Sequence, residues 1–213
     1  MSTIYQDKKQ LIGKLIRDSD VVLDLGFWGQ GVMIHHDNWV HRLLLNRAKE
    51  VYGLDVEFEP ADVAKLPHPN RYKKGTAEDF DFDLKFDVIL AADLIEHLSD
   101  LGSFLRSCAR NLKTGGRLII TTPNCFNLFN MASKLTKVEP IMNKDETVYF
   151  NHRALRQLLG KHGWKVDEAS YLYSLGVEYR ESYRKRFLNI LYYILSKFTP
   201  KFVETIVVVA KKV

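Results

Sequence analysis

The sequence VVLDLGFWGQG, residues 21–31, places an apolar run directly before a turn that contains three glycines. Glycines in such a turn let the backbone bend tightly and let a ligand reach main-chain N–H groups without meeting a Cβ atom. The glycines at 26, 29 and 31 do not match the G-x-G-x-x-G spacing of dinucleotide-binding turns. The stretch therefore predicts a strand that runs into a ligand-binding turn, with a plain strand-to-helix turn as the alternative.

Four further apolar runs repeat the strand pattern along the chain, at residues 50–55, 86–93, 117–123 and 205–210. Their near-continuous apolar character is typical of a sheet that is covered on both faces. Helical patterns over 98–112 and 152–162 separate some of them, a further strand is predicted over 164–171, and a short one over 71–74. This alternation predicts a doubly wound α/β sheet, in which ligands bind beyond the carboxyl ends of the strands.

Three other turns at predicted strand ends carry candidate functional groups. Asp55 ends the second apolar run, where an acid can accept hydrogen bonds from both ribose hydroxyls of an adenosine, or remain a solvated carboxylate. Residues 75–80 hold carboxylates that could contact an adenine amino group, or form an exposed edge. Asp93 ends the third run, Glu96 and His97 follow it, and these three residues are the best candidates for chemistry.

These turns, in this order, resemble the class I S-adenosylmethionine-dependent methyltransferases. The closest likeness is to the small-molecule branch typified by enzymes of the ubiquinone and menaquinone pathways. The likeness covers roughly residues 18–172, and it rests on residues 24–31, Asp55, 77–79, 86–89 leading to 96–98, 112–116 and 121–124. It implies a Rossmann-like, mostly parallel sheet with helices on both faces and an antiparallel final strand.

The resemblance implies that S-adenosylmethionine is the cofactor and S-adenosylhomocysteine the product. The cofactor-binding positions that it implies are Asp24, Gly26, Phe27, Gly29, Gly31, Asp55, Val56, Ala77, Glu78, Asp79, Asp93 and Leu94. The glycine loop has one residue more than the family pattern, so that either the loop bulges and Gly29 is the second glycine, or Trp28 takes that position. Two alternatives stay open: an NAD(P)-binding oxidoreductase, and a non-catalytic cofactor-binding protein of the same fold.

The implied reaction is O-methylation of a small molecule, a sugar or a lipid-linked acceptor. His97 is the first candidate for the base, because imidazole titrates near neutral pH, and Glu96 and His152 complete the predicted catalytic set. Asp93, Glu96 and His97 also resemble a divalent-metal triad of some relatives, to which His152 could add a ligand. A helix-capping role for Glu96 is favoured over metal binding, and we expect no metal.

The formal net charge of +5 is concentrated at the end of the chain, where the residues from Arg180 onward include 8 basic and 2 acidic ones. Residues 180–203 predict an amphipathic basic helix, which packs as a core helix or dimer face or else touches a membrane peripherally through 180–201. Residues 125–150 are predicted to be a lid or acceptor insertion in a single domain, 1–213. Nucleic acid is not favoured as a partner.

The expected location is the cytoplasm. The first ten residues lack the apolar run of a signal peptide. Two cysteines, Cys108 and Cys125, are too few for a disulfide framework or a four-thiolate zinc site.

Overall fold

A computed structural model describes residues 3–29, 38–127, 145–173 and 199–213. Within these ranges eight strands form one sheet, in the spatial order β1-β7-β8-β6-β5-β2-β3-β4. The strands are β1 (Ile4–Tyr5), β2 (Val21–Leu25), β3 (Glu50–Asp55), β4 (Tyr72–Lys74), β5 (Phe86–Ala92), β6 (Leu112–Pro123), β7 (Trp164–Leu172) and β8 (Thr205–Lys212). β8 pairs antiparallel with β6 and β7, while the other pairs are parallel. The predicted doubly wound sheet with an antiparallel last strand is confirmed.

The helices of the described residues are α1 (Lys8–Leu15), α2 (Val40–Leu45), α3 (Pro60–Val63), α4 (Leu101–Asn111) and α5 (His152–Lys161). Short polar side chains start three of them, because Asp7, Asp100 and Asn151 each accept a hydrogen bond from the backbone N–H three residues later. Three-residue 3-10 turns lie at 69–71, 95–97 and 200–202. No helix in the described ranges has both the length and the apolar character that crossing a membrane requires.

Both faces of the sheet are buried, which explains why its strands are apolar almost throughout. Ile89 and Ala91 of β5 face the cluster that contains residues of α4 and α5. Val88 and Leu90 face the opposite cluster, to which α1 and α2 contribute. Successive β-strand side chains point to opposite faces, so a strand covered on both sides has no position for an exposed polar residue.

Two details of the sequence prediction differ from the structure. α4 ends at Asn111 rather than at the glycines that follow, because Leu112 turns into the extended conformation and its N–H caps the Cys108 carbonyl. The residues over 112–116 join β6 through an irregular register between Phe86 and Val88. The edge strand β1 and helix α1 were not predicted.

A third cluster, the aromatic cluster, lies at the carboxyl ends of β2 and β3. It consists of Phe27, Trp28, Trp39, Phe58 and Val63. The ring of Phe27 stacks on Tyr72 with centroids 5.1 Å apart and covers Gly53, where a Cβ atom would lie 2.6 Å from Phe27 Cδ1. Gly53 thus leaves the space in β3 that the Phe27 ring fills.

We expect Gly53→Ala to lower the free energy of unfolding by about 1–3 kcal/mol, because the Phe27 ring is held on several sides and cannot yield without repacking. The matched control is Gly13→Ala on α1, where a Cβ atom meets nothing within 4 Å. That substitution should stabilise the protein by about 0.5–1 kcal/mol through helix propensity. Urea denaturation of both variants measures the difference, and equal effects would contradict the close contact at Gly53.

Candidate functional site

The site is built at one edge of the sheet, where parallel strands β5, β2 and β3 end side by side. The registers pair Asp24 with Gly53 and with Leu90, so the ends of these three strands are level. The turns that follow therefore meet at this edge. Three acids predicted from the sequence, Asp24, Asp55 and Asp93, lie at or next to these ends.

The glycine loop bulges, and Gly29 rather than Trp28 takes the glycine conformation. Gly26 and Gly29 have φ values of +72° and +54°, in the left-handed region that favours glycine. The two aromatic residues between these glycines, Phe27 and Trp28, belong to the aromatic cluster. A Cβ atom at Gly26 would lie 3.2 Å from Leu94 Cδ1, whereas one at Gly29 would meet nothing within 4 Å. The predicted position Gly31 lies outside the described residues.

Asp55 is held in place by two backbone donors. The Trp28 N–H donates to its Oδ2 at 2.9 Å and the Glu57 N–H to its Oδ1 at 3.0 Å. Asp55 is only 8% exposed, while the adjacent Val56 is 56% exposed. Each carboxylate oxygen has a second lone pair, so that Asp55 can still accept hydrogen bonds from a ligand next to an apolar side chain.

Beneath the loop, Asp24 is part of a buried polar network. Its Oδ2 lies 3.0 Å from Nδ1 of His41, and Nε2 of His41 lies 3.3 Å from the hydroxyl of Tyr72. Both Asp24 and His41 are buried. Burial raises the pKa of Asp24 above its usual range, and the hydrogen bond with His41 opposes that rise. This pairing could not be predicted from the sequence, because α2 and β2 meet only in the folded chain.

The predicted adenine-side carboxylates have protein partners. The Glu78 carboxylate accepts the N–H groups of Ser99 and Asp100 at 2.6 and 2.7 Å, ahead of α4. The exposed Asp79 pairs with Arg110 at 2.8 Å, and Ala77 is buried. These contacts fasten the turn to α4, and cofactor contact at this turn stays a prediction.

Asp93 adopts an unusual backbone conformation at the end of β5. Its φ of +51° is rare for a residue other than glycine. Its N–H donates to the carbonyl and the hydroxyl oxygen of Thr121, and the Thr121 hydroxyl donates to Asp93 Oδ1 at 2.9 Å. Lys8 of α1 reaches its Oδ2 at 3.2 Å. A contribution from α1 to this edge was not predicted.

Glu96, His97 and Glu146 form an acidic group beside Asp93. One potential ligand atom from each of the three lies within 4.8 Å of the others. Glu96 is 1% exposed and its Oε2 has no hydrogen-bond partner among the described residues. Burial, reinforced by the carboxylates of Asp93 and Glu146, raises the pKa of Glu96 to about 8. The place of Glu146 in this group could not be predicted from the sequence, because the residue lies far along the chain from His97.

The segment 145–150 brings Glu146 to this edge. Its Asp145 carbonyl lies 3.1 Å from Nδ1 of His97, and the Thr147 N–H donates to the Glu96 carbonyl at 2.9 Å. The Phe150 carbonyl then accepts the Cys125 N–H at 2.9 Å. The ends of the predicted lid, 125–127 and 145–150, therefore lie along the carboxyl edge, and its middle lies outside the described residues.

His152 is not a member of the acidic group. It begins α5, and its ring packs edge-on against Tyr171 with centroids 4.6 Å apart. Burial lowers the pKa of His152. The predicted helix over 180–203 lies outside the described residues except for its last residues, 199–203, so its membrane contact stays a prediction.

The sequence matches known methyltransferases over part of its length. Residues 37–120 match the family described as "Methyltransferase domain". A ubiquinone biosynthesis O-methyltransferase of Bradyrhizobium sp. (strain ORS 278) is 36% identical over 81 residues, covering 35% of this chain and 32% of that relative. The enzyme of the same name from Proteus mirabilis (strain HI4320) is 35% identical over 82 residues, covering 35% and 34%. The match thus spans about a third of the length of these relatives.

Solved structures match over nearly the whole chain. A SAM dependent methyltransferase from Archaeoglobus fulgidus superposes with a TM-score of 0.58 at 18% identity, covering 95% of this chain and 89% of that one. A TehB-like SAM-dependent methyltransferase from Corynebacterium glutamicum gives 0.56 at 15% identity, covering 98% and 88%. At these identities the likeness shows the fold. Together with the sequence matches it confirms the resemblance, and the nicotinamide-binding alternative is not favoured.

The raised pKa of Glu96 predicts that this residue makes the folded chain less stable as the pH rises. The pKa of Glu96 is about 8 in the folded chain and 4.5 in the unfolded one. Its contribution to the free energy of unfolding is therefore complete below pH 4.5 and is lost as the pH rises through 8. We therefore expect the unfolding free energy of Glu96→Gln, relative to the native chain, to increase between pH 5 and 8 by roughly 2–4 kcal/mol and then to level off.

Urea denaturation in metal-free buffer across this pH range measures the effect. Glu57→Gln, which removes an exposed carboxylate from the turn after β3, is the matched control. A pH-independent difference between Glu96→Gln and the native chain would contradict the assignment.

The Asp24 network predicts unequal losses for its two other members. His41→Leu removes the partner of a buried carboxylate and should cost about 3–5 kcal/mol of unfolding free energy. Tyr72→Phe keeps the stacking on Phe27 and removes a hydroxyl, so it should cost about 1 kcal/mol. Urea denaturation near neutral pH compares the two, and similar losses would show that Asp24 does not depend on His41.

Proposed function

We propose that this chain is a class I S-adenosylmethionine-dependent methyltransferase that transfers a methyl group from that cofactor to a hydroxyl of a small acceptor. The observation that carries the proposal is the pair formed by the bulged glycine loop and the buried Asp55, side by side at the carboxyl edge of the sheet. The printed names of the sequence relatives, O-methyltransferases, support the choice of oxygen as the methylated atom.

The cofactor half of the site fits an adenosine-bearing ligand. Asp55 retains free lone pairs for ribose hydroxyls, and the exposed Val56 beside it offers an apolar surface to a base. Gly26 and Gly29 have no side chain to obstruct the approach to the loop backbone. The roles assigned to Asp24, Leu94 and residues 77–79 in cofactor binding remain part of the proposal.

S-adenosylmethionine supplies a methyl carbon that is already activated by a positively charged sulfur. The protein then has to align the acceptor, exclude water and take up the hydroxyl proton. His97 is suited to the last task. A carbonyl can only accept a hydrogen bond, so the contact with Asp145 places a proton on Nδ1 and leaves Nε2 of the neutral ring free to accept another.

The acidic group supports this role electrostatically. A proton that arrives on His97 makes an imidazolium next to Glu146, and a carboxylate favours a positive neighbour. The same three donors have the chemistry to hold a divalent cation. A bound cation would lower the pKa of the acceptor hydroxyl. We retain the expectation that the reaction proceeds without one.

The proposed acceptor is a small hydroxylated molecule, a sugar or a lipid-linked precursor. The backbone hydrogen bond between Cys125 and Phe150 holds two segments together near the carboxyl edge. The exposed side chains of Phe126 and Tyr149, one on each segment, offer an apolar surface there. Contact with a membrane surface through residues 180–201 is the corresponding proposal for a lipid-linked acceptor, and its basis is the concentration of basic residues there.

Calorimetry with S-adenosylhomocysteine tests the proposed function. We expect the native chain to bind it, and Asp55→Ala to weaken binding by about 1.5–3 kcal/mol, roughly 10- to 150-fold, because a charged hydrogen-bond acceptor is lost. Glu57→Ala, two residues along the same turn, should leave the affinity nearly unchanged. Binding of NAD by a chain that does not bind S-adenosylhomocysteine would overturn the proposal.

A further inference from the structure

The extra residue of the glycine loop has a specific structural use. Phe27 and Trp28 are 3% and 7% exposed, so neither is a surface bulge. Their rings pack with Trp39, Phe58 and Val63 in the aromatic cluster. The loop is therefore anchored from within the protein, by residues of the segments that follow β2 and β3.

Phe27 is fixed through both its side chain and its backbone. Its ring lies over Gly53 and against Tyr72 and Phe58, and its carbonyl accepts the indole N–H of Trp39 at 2.8 Å. A peptide group with its carbonyl held in this way has little freedom to rotate. The N–H of the same peptide group is that of Trp28.

That N–H is the one that donates to Oδ2 of Asp55, at 2.9 Å in a buried position. A hydrogen bond from a backbone amide to a carboxylate is strong when solvent is excluded. The anchored peptide group therefore fixes both the position and the rotamer of Asp55 in the ligand-free protein. Without the Phe27 anchor, this donor would belong to an unconstrained loop.

We propose that the Trp28 amide, held by the Phe27 anchor, is a positioning group that orients Asp55 for the two ribose hydroxyls before the cofactor binds. This inference rests on the proposed function, and it adds the reason why Asp55 would distinguish a ribose that has both hydroxyls from one that lacks them. A carboxylate oriented in advance loses little conformational entropy on binding, so its preference for a ribose with both hydroxyls is large.

Two substitutions at one position separate the amide from the side chain. Trp28→Ala removes the indole and keeps the N–H, while Trp28→Pro removes both. Calorimetry on the full chain compares S-adenosylhomocysteine, adenosine and 2′,3′-dideoxyadenosine. We expect Trp28→Pro to bind S-adenosylhomocysteine at least tenfold more weakly than Trp28→Ala does, and to lose most of the preference for adenosine over its dideoxy analogue. Equal affinities with an intact preference would overturn the proposal.

A second measurement needs neither the proline variant nor any ligand. Amide hydrogen exchange of Trp28, followed by NMR, should be slow in the native chain and at least tenfold faster in Asp55→Ala, with Glu57→Ala as the control. Unchanged exchange in Asp55→Ala would overturn the positioning role. If the native chain binds no adenosine compound, the proposed function fails, while this exchange result still decides whether Trp28 orients Asp55.

Discussion

A carboxylate in the middle of a sheet needs a partner, and the pairing of Asp24 with His41 meets that need. An unpaired charge at this depth would cost several kcal/mol. The pair fixes α2 against β2, and the contact of His41 with Tyr72 adds the edge strand β4. Phe27 then packs against both His41 and Tyr72, which positions the glycine loop. The order of the site thus begins with the buried hydrogen bond between Asp24 and His41 beneath it.

The sheet could be predicted because burial on both faces leaves a strong signal in the sequence. The five apolar runs all became strands, and their alternation with helices gave the doubly wound arrangement. β1 escaped prediction because it has two residues and pairs with Tyr171 and Leu172, far along the chain. Strands of that length carry no periodic pattern. The end of α4 was misplaced because a glycine pair is a strong stop signal, while the extended conformation of Leu112 ended the helix sooner.

The sequence predicted only which turns lie at the carboxyl edge of the sheet. Parallel strands end at one edge, so Asp55, Asp93 and Glu96 had to lie near it. Their partners could not be predicted, since the contacts of Lys8 with Asp93 and of Trp28 with Asp55 depend on the three-dimensional packing of separate segments. The same holds for Glu78, whose carboxylate binds two backbone N–H groups ahead of α4. A sequence shows which residue types follow a strand, whereas the fold decides which groups satisfy them.

The charges at the carboxyl edge bear on how the proposed reaction would balance. Burial, together with the neighbouring carboxylates of Asp93 and Glu146, raises the pKa of Glu96 to about 8 and so keeps a proton on it near neutral pH. A positively charged sulfonium nearby would lower the cost of ionising that group. In the proposed reaction the cofactor would lose one positive charge, and the acceptor hydroxyl would release one proton to a neighbouring base. If His97 took up that proton beside Glu146, the net charge of the site would stay constant through the proposed reaction.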